Sequence, residues 1–316
     1  MNLNTFNIVV VGAGALGSAF LKRISTERIG SIKIVDGDVV TQKNLINQKF
    51  YSADDVAGYV QKADAAKTAL SRLGMTTHVV SEPRYIGQLN AYSILRGADL
   101  VVDATDNIKT RLIINNACSK LSIPLMIASI RKTEGFFYLI NWKGACFNCL
   151  YRNLMPSINT ACDEISVDSA RFLSELMFNC IISFLNDHSQ PPSFTTVSFE
   201  THSQLSITIK KDPNCETCEK HSYSPGSDAS FVQICGDGIK FSLQHDLDIA
   251  KLAAELPNPQ IKDNGNAVIT VTGRKRAFIS RYGDFLFIGY SENDAHLFIE
   301  RLLSLGILTS CDIPHE

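Results

Sequence analysis

Hydrophobic residues in the first part of the chain fall into short continuous runs separated by longer stretches with helical spacing. The run Asn7–Val11 is mostly β-branched and stops at a glycine, as expected of a strand buried on both faces of a parallel sheet. Residues 15–26 have the spacing of a helix, and Ser31–Val35 repeats the strand pattern. Together these segments predict a βαβ unit.

The same alternation of strands and helices continues along the chain. Strands are predicted at 78–80, 99–103, 124–129, 134–141, 194–199 and 204–209, and helices at 54–73, 89–95, 109–121 and 166–185. This order predicts an α/β fold built on a doubly wound, Rossmann-like sheet.

A polar, turn-rich stretch at 222–230 predicts a linker between two domains. The first domain then covers 1–221, and a small α+β module covers 231–316. Within the module, strands are predicted near 231–234, 267–272, 276–280 and 285–290, and helices at 246–255 and 293–305. Such a module could recruit a partner protein, or it could be a dimerisation or stability element.

The composition narrows the class of protein. The chain has 316 residues, 45% hydrophobic and 20% charged, with a net charge of −2, so no basic surface suggests nucleic acid as a partner. No run approaches the length of a membrane span, and the N-terminus lacks a signal-peptide pattern, so we expect a cytoplasmic protein without a membrane partner. In that compartment the nine cysteines are expected to be reduced.

Two CxxC pairs provide the strongest single motif. Cys146 and Cys149 form the first pair, Cys215 and Cys218 form the second, and each pair is predicted to close a tight loop. Four thiolates in two such pairs can surround a tetrahedral zinc ion, so we predict a structural zinc site. A thioredoxin-like redox motif is the competing interpretation.

A glycine-rich loop follows the first predicted strand. Gly12, Gly14 and Gly17 form a GxGxxG motif, which lets backbone amides approach a phosphate at a helix N-terminus. Asp36 ends the next strand, where a carboxylate can bind ribose hydroxyls. These two features alone favour a nicotinamide-dependent dehydrogenase.

Two further segments change this interpretation. Residues 36–48, DGDVVTQKNLINQ, resemble the DxDxVxxxNLxRQ segment of the ThiF/MoeB/HesA family of ubiquitin-activating-enzyme-like adenylyltransferases. Residues 103–107, DATDN, followed by Arg111, are similar to the DxTDNxxxR motif of the same family. With the glycine loop and the CxxC pairs, the resemblance extends from Asn7 to Cys218.

The resemblance implies an enzyme that uses ATP and magnesium to adenylate a carboxylate. It assigns the magnesium ion to Asp106, the ribose to Asp36 and the phosphates to Lys62, with Lys67 as the alternative lysine. Arg111 is counted among the catalytic residues, although a structural ion pair is its alternative role. The other nucleotide-binding positions implied by the resemblance are Gly12, Gly14, Ala15, Gly17, Asp38, Asn44, Asn47, Gln48 and Asn107. For Asp106 and Asn107, capping of the next helix is the simpler alternative.

Two positions depart from the family pattern. Asn47 stands where the family has an arginine, and asparagine cannot supply the bidentate charge that binds phosphate oxygens. Either another cation replaces the arginine, with Lys22, Arg23 and Lys43 nearby in sequence, or adenylation is altered or weakened. Cys162 stands where some members have a nucleophilic cysteine, and it is implied as a fourth catalytic residue. Its neighbours Asp163 and Glu164 would raise its pKa, which counts against this role.

We therefore predict an ATP-dependent adenylyltransferase that activates the C-terminal carboxylate of a ubiquitin-like sulfur carrier protein, with possible transfer through Cys162. One alternative is adenylation of the C-terminus of a short ribosomal peptide in natural-product maturation. Another is an inactive binding homologue. The family resemblance also implies a homodimer.

Overall fold

The structure, a computed structural model, describes residues 3–48, 50–154, 165–188, 193–222, 232–234, 238–243, 246–262 and 265–308. Its chain divides into two compact units, 1–225 and 226–316. Among the described residues, no helix has both the length and the apolar character needed to cross a membrane.

The first unit contains one sheet of eight strands. In chain order these are β1 Asn7–Val11, β2 Ser31–Val35, β3 His78–Glu82, β4 Leu100–Asp103, β5 Leu125–Arg131, β6 Glu134–Ile140, β7 Phe194–Ser198 and β8 Gln204–Ile207. They are ordered β3-β2-β1-β4-β5-β6-β7-β8 across the sheet. The first five strands in this order, from β3 through β2, β1 and β4 to β5, are parallel to one another. The last three strands, β6, β7 and β8, each pair antiparallel with the strand before them.

Helices cover both faces of this sheet, after a short 3-10 turn at Leu3–Thr5. The helices are α1 Ala15–Ile24, α2 Asn44–Asn47, α3 Ala53–Ala57, α4 Lys62–Arg72, α5 Ala91–Leu95, α6 Ile108–Leu121, α7 Phe147–Leu154 and α8 Val167–Asn186. One core joins α1, α4 and α8 to the sheet through residues such as Phe20, Leu70 and Met177. The opposite core joins α5, α6 and α7 through Ile94, Ile114 and Phe147. The predicted doubly wound α/β fold is confirmed.

The described residues of the second unit form a six-stranded antiparallel sheet with two helices. Its elements are β9 Val232–Ile234, β10 Gly238–Ser242, α9 Ile249–Glu255, β11 Pro259–Lys262, β12 Ala267–Thr272, β13 Lys275–Ser280, β14 Asp284–Ile288 and α10 Glu292–Ser304. The strand order is β11-β12-β13-β14-β10-β9. The domain bounds and the 222–230 linker stay predictions.

The helix predicted over 54–73 is wrong as a single element. A capping box of Ser52 and Asp55 starts α3, which ends before Gly58. The chain then turns through Tyr59, whose φ is 52°, and forms a bridge between Val39 and Gln61. Because these backbone groups bond to the segment after β2, the helix cannot continue, and α4 begins anew at Lys62.

The segment predicted as the first CxxC loop also differs. Cys149 lies within helix α7, which begins directly after Cys146. Spacing of cysteines does not distinguish a loop from one helical turn, since residues three apart are neighbours in both.

Candidate nucleotide site and cysteine cluster

The motif residues meet at the carboxyl edge of the parallel strands. The amide of Gly12 donates to the Val35 carbonyl at 2.9 Å, and the amide of Ala104 donates to the Val11 carbonyl at 2.9 Å. The loops after β1, β2 and β4 are therefore adjacent. Strand β1 pairs with β2 on one side and β4 on the other, which is where the strand order reverses and where doubly wound folds bind their ligands.

The glycine loop requires its glycines for close contact between backbones. A Cβ on Gly17 would lie 1.8 Å from the Gly12 carbonyl oxygen, and one on Gly12 would lie 2.9 Å from the Ala104 carbonyl. Gly12 also has a φ of 90°. Gly14 precedes helix α1 and offers no side chain, while Ala15 begins the helix. This helix start therefore presents its backbone N–H groups to a phosphate without a competing side-chain cap.

Asp36 connects the glycine loop to the end of β2. Its Oδ2 accepts a hydrogen bond from the Ala13 amide at 2.7 Å, and its Oδ1 accepts one from the Asp38 amide at 2.8 Å. The hydroxyl of buried Tyr51 donates to the Ala13 carbonyl from the other side. Burial and the charge of Asp36 raise the pKa of Tyr51 well above its usual value, so it remains a donor. The resemblance did not single out Tyr51.

Lys62 and Asp38 form a buried ion pair beside this loop. The Lys62 Nζ lies 2.9 Å from Asp38 Oδ2, and the Tyr85 hydroxyl donates to Asp38 Oδ1 at 3.0 Å. Burial alone would lower the pKa of Lys62, but Asp38 and Asp36 raise it above the usual lysine value. Lys67, the alternative lysine, is exposed on α4. The geometry thus favours Lys62, and it adds Tyr85 to the site.

Asn44 stabilises the turn that leads into the segment at 44–48. Asn44 Oδ1 accepts hydrogen bonds from the Thr41 amide at 2.8 Å and the Thr41 hydroxyl at 3.0 Å. Gln48 is buried, and its Oε1 lacks a hydrogen-bond partner within the described part of the chain. The side chain of Asn47 lies outside the described residues.

Among the basic residues near the glycine helix, Arg23 has a structural position. It pairs with Glu27 at 2.9 Å and with Glu175 on α8, and its guanidinium lies 3.8 Å from the centre of the Phe178 ring. Lys22 and Lys43 are exposed. Arg23 therefore links α1 to α8 and is a poor substitute for the family arginine.

The DATDN segment is held rigidly after β4. Buried Asp103 accepts hydrogen bonds from the Thr105 amide at 2.9 Å and the Thr105 hydroxyl at 2.6 Å. Burial raises the pKa of Asp103, although the Arg111 charge opposes this shift. Asn107 caps α6 by accepting from the Thr110 amide at 2.8 Å. Asp106, between these residues, is exposed at the edge of the site.

Arg111 donates hydrogen bonds to the backbone of this segment and of the neighbouring strand β5. It is 3% exposed, and its guanidinium donates to the carbonyls of Thr105 and Ala128, the latter at 3.1 Å. Burial lowers the pKa of Arg111, while Asp103 and Asp106 oppose the shift. These contacts give Arg111 a structural function, and its catalytic role stays a prediction.

The four cysteines form one cluster in space. The Sγ atoms lie 3.6 Å apart for Cys146 and Cys215, 3.6 Å apart for Cys149 and Cys218, and 3.9 Å apart for Cys146 and Cys149. Tetrahedral zinc with Zn–S bonds of about 2.3 Å requires sulfur separations of about 3.8 Å, whereas a disulfide requires about 2.05 Å. The cluster can therefore hold a zinc ion, and the separations do not fit disulfides.

Electrostatics within the cluster also suit a metal. Hydrogen bonding, first with Cys146, lowers the pKa of Cys149 to about 7 and also lowers that of Cys215. The same network raises the pKa of Cys146. It also raises the pKa of Cys218, so the four thiols hold their protons unequally, and a metal, which binds thiolates, would displace the protons that remain. The other predicted reactive thiol, Cys162, lies outside the described residues.

These features together define a class: nucleotide-binding α/β domains that carry a four-cysteine metal site. The model of the ThiF family matches residues 1–219, and the chain belongs to this family. The family resemblance inferred from the motifs is thereby confirmed.

Two curated relatives match most of the chain. It is 29% identical over 259 residues to the sulfur carrier protein ThiS adenylyltransferase of Bacillus subtilis (strain 168), covering 78% of this chain and 77% of that protein. It is 27% identical over 235 residues to the SAMP-activating enzyme E1 of Haloferax volcanii, covering 72% of this chain and 86% of that protein. Among solved structures, E. coli MccB with ATP is similar, with a TM-score of 0.57, 20% identity and 68% of each chain covered. At that identity the likeness shows the fold.

Proposed function

We propose that this chain is an ATP-dependent adenylyltransferase that activates the C-terminal carboxylate of a small ubiquitin-like sulfur carrier protein. The supporting observation is the convergence of the glycine loop, Asp36, the Lys62–Asp38 pair and Asp106 at one edge of the sheet. Two relatives support the choice of a carrier protein as substrate, because one is named as an adenylyltransferase of the sulfur carrier protein ThiS and the other as a SAMP-activating enzyme.

In the proposed reaction, an oxygen of the carrier carboxylate forms a bond to the α-phosphorus of ATP. The bond from that phosphorus to the bridging oxygen breaks, and pyrophosphate leaves. Lys62 remains cationic because its pKa is raised, so it can offset the charge on the phosphates. The N–H groups at the start of α1 bind phosphate oxygens, and Asp36 binds the ribose. Asp106 is the candidate ligand for magnesium, which when bound would neutralise phosphate charge.

Adenylation of a short peptide is the second candidate, because it uses the same first step and the same residues. The two substrates differ in the step after adenylation: the acyl group of the carrier adenylate would next form a thioester with a thiolate, for which Cys162 is the proposed nucleophile, and AMP would leave. Homodimerisation and a cytoplasmic location stay predictions made from the family resemblance and the composition.

The test is isotope exchange between pyrophosphate and ATP in the presence of a panel of Gly-Gly-ended carrier proteins and short peptides. We expect exchange with a carrier, and we expect Asp106→Ala to reduce it by about a hundred-fold or more, while folding and metal content stay unchanged. Asp99→Ala is a matched control because Asp99 is an exposed aspartate that precedes the same strand, β4, at its opposite end. ATP binding without exchange for any substrate would contradict the proposal and favour an inactive binding homologue.

A further inference from the structure

Helix α6 contacts both the nucleotide site and the cysteine cluster. Its first turn carries the Asn107 cap and Arg111, which hold the DATDN segment. Its second half carries Asn115 and Ser119, which contact the two CxxC segments. The helix has 14 residues, or about 21 Å, so one rigid element supports both sites.

Asn115 acts as a cap for helix α7, which begins directly after Cys146 and contains Cys149. It is fully buried, and its Oδ1 accepts a hydrogen bond from the Phe147 amide at 3.0 Å. Phe147 begins α7 and directly follows Cys146. The first N–H groups of a helix have no partner within the helix, so Asn115 satisfies one of them from outside.

The amide nitrogen of Asn115 is also informative. Within the described part of the chain, its Nδ2 is buried and lacks a hydrogen-bond acceptor. An unsatisfied buried donor is unfavourable, and it is tolerated where a further acceptor completes the site. The Asn115 Nδ2 makes no hydrogen bond to a cysteine sulfur within the described chain, so the contact of Asn115 with the cluster is the bond from the Phe147 amide beside Cys146, and residues in such an outer position orient the ligands of a metal.

The second cysteine pair rests on the same face of α6. The Ser119 hydroxyl donates to the carbonyl of Thr217 at 3.3 Å, and Thr217 lies between Cys215 and Cys218. The Asn148 Nδ2 donates to the Thr217 hydroxyl at 3.3 Å, joining the two CxxC segments to each other. Because Asn115 and Ser119 are four residues apart, they lie on one side of the helix.

We propose that Asn115 is a positioning residue that aligns the four-cysteine cluster on helix α6 and thereby couples metal binding to the placement of the Asp106 loop. Asn115 fixes the start of α7, and with it the separation of Cys146 from the second pair. A metal held by the four cysteines would in turn keep α7 and Thr217 against α6, so the helix capped by Asn107 would be supported along its length. The coupling to nucleotide rests on the proposed adenylation function, whereas the role at the metal does not.

The first experiment compares zinc release from full-length protein loaded with one equivalent of zinc. A chromogenic chelator in excess measures the release rate. For Asn115→Leu, we expect release to be faster by about ten- to a hundred-fold, as is typical when an outer residue of a metal site is lost. Asn116→Leu changes the neighbouring amide on α6, whose Oδ1 is likewise buried without a hydrogen-bond partner in the described chain, and it should stay within about two-fold of the unmodified protein.

Cobalt-substituted protein provides a readout that loss of stability alone would not change. We expect the visible absorption bands of the tetrahedral cobalt–thiolate site to shift in Asn115→Leu and to stay constant in Asn116→Leu. Should leucine not be accommodated, Asn115→Ala removes the same polar groups without adding bulk, and the same shifts are expected. Release at the unmodified rate from a folded Asn115 variant, with unchanged cobalt bands, would overturn the proposal.

The second experiment measures ATP affinity of the zinc-loaded proteins by calorimetry. We expect Asn115→Leu to weaken ATP binding by about two- to thirty-fold, the range for coupling through packed networks, and Asn116→Leu to leave it unchanged. Faster zinc release with unchanged ATP affinity would refute the coupling. If the unmodified protein failed to bind ATP, the proposed function would fail, but the zinc comparison would still decide the role of Asn115.

Discussion

The buried pair of Lys62 and Asp38 allows a quantitative prediction about the nucleotide site. The perturbation is Lys62→Met, which keeps most of the side-chain volume and removes the charge. The Lys62 and Asp38 side chains are 11% and 17% exposed, and the pairing distance is 2.9 Å. Because Asp36 also contributes to the raised pKa of Lys62, the substitution leaves two carboxylates without their common cation.

The magnitude can be worked from the geometry. At 2.9 Å and an effective dielectric constant of about 20, the attraction is about 6 kcal/mol before desolvation is subtracted. Removing one partner of a buried pair typically costs about 3–5 kcal/mol. Asp38 keeps the hydrogen bond from Tyr85 at 3.0 Å, so the lower end applies. We expect Lys62→Met to lower the free energy of unfolding by about 3 kcal/mol.

The assay is urea unfolding followed by the fluorescence of Trp142, the only tryptophan of the chain, which lies in the first unit. Combination with Asp38→Asn closes a double-mutant cycle that isolates the coupling between the two residues. Lys67→Met is the matched control, since Lys67 is exposed on the same helix, and it should change stability by less than about 0.5 kcal/mol. A coupling free energy below about 1 kcal/mol would refute the reasoning.

The pH dependence of this coupling has a definite sign. The pKa of Lys62 in the folded protein is raised above the unfolded value of 10.5. Because this pKa is raised, the stabilisation that the Lys62 charge provides is fully present below pH 10.5. It is lost as the pH rises through the higher pKa that Lys62 has in the folded protein. The coupling should therefore be constant between about pH 6 and pH 9 and decline only in stronger alkali. A decline already near neutral pH would show that another group is responsible.

Two further substitutions test the glycine loop. Tyr51→Phe removes the donor to the buried Ala13 carbonyl, so we expect unfolding to become easier by about 1–3 kcal/mol in the same urea assay; an unchanged midpoint would mean that water replaces the hydroxyl. Gly17→Ala places a Cβ 1.8 Å from the Gly12 oxygen, so the loop must open and ATP binding by calorimetry should be lost. Gly14→Ala is its control in the urea assay, because a Cβ there meets no protein atom within 4 Å and the φ of −69° is ordinary; Gly17→Ala should lower the unfolding midpoint and Gly14→Ala should not, and equal losses of stability would contradict the steric argument.

The parallel part of the sheet was predictable because each strand is a short segment with aliphatic residues at its centre that ends at a turn or a polar motif. Asn7–Val11 and Ser31–Val35 match the observed strands in full. The carboxyl ends of parallel strands meet at one edge, so the positions of Asp36 and Asp106 followed from strand order. The pairing of the cysteines in space also followed from their spacing alone.

Partners supplied by tertiary structure were not predictable. Helical spacing continues from α3 into α4, and the break arises because Gln61 bridges to Val39, far away in sequence. Tyr85 sits after β3 in a segment without a recognisable motif, yet its hydroxyl completes the Asp38 site. Likewise, the sequence around Arg111 indicates a charged helix residue, whereas in the structure its guanidinium donates to two backbone carbonyls. Such partners depend on packing, which residue type and spacing do not specify.

The distance between the two cysteine pairs has a topological explanation. The 66 positions from Cys149 to Cys215 (215 minus 149) include α8, β7 and β8, the last two being the antiparallel extension of the sheet. Both ends of this segment meet at the cysteine cluster, beside α6. A metal at the cluster closes a loop of this length, and by the chain-entropy estimate used for disulfides such closure destabilises the unfolded state by about 4 kcal/mol. A metal there would therefore stabilise the segment from α8 to β8, which shares both hydrophobic cores with the parallel strands that carry the nucleotide site. Through Asn115, the two parts share one helix, which is why a structural metal can matter to a site that it does not touch.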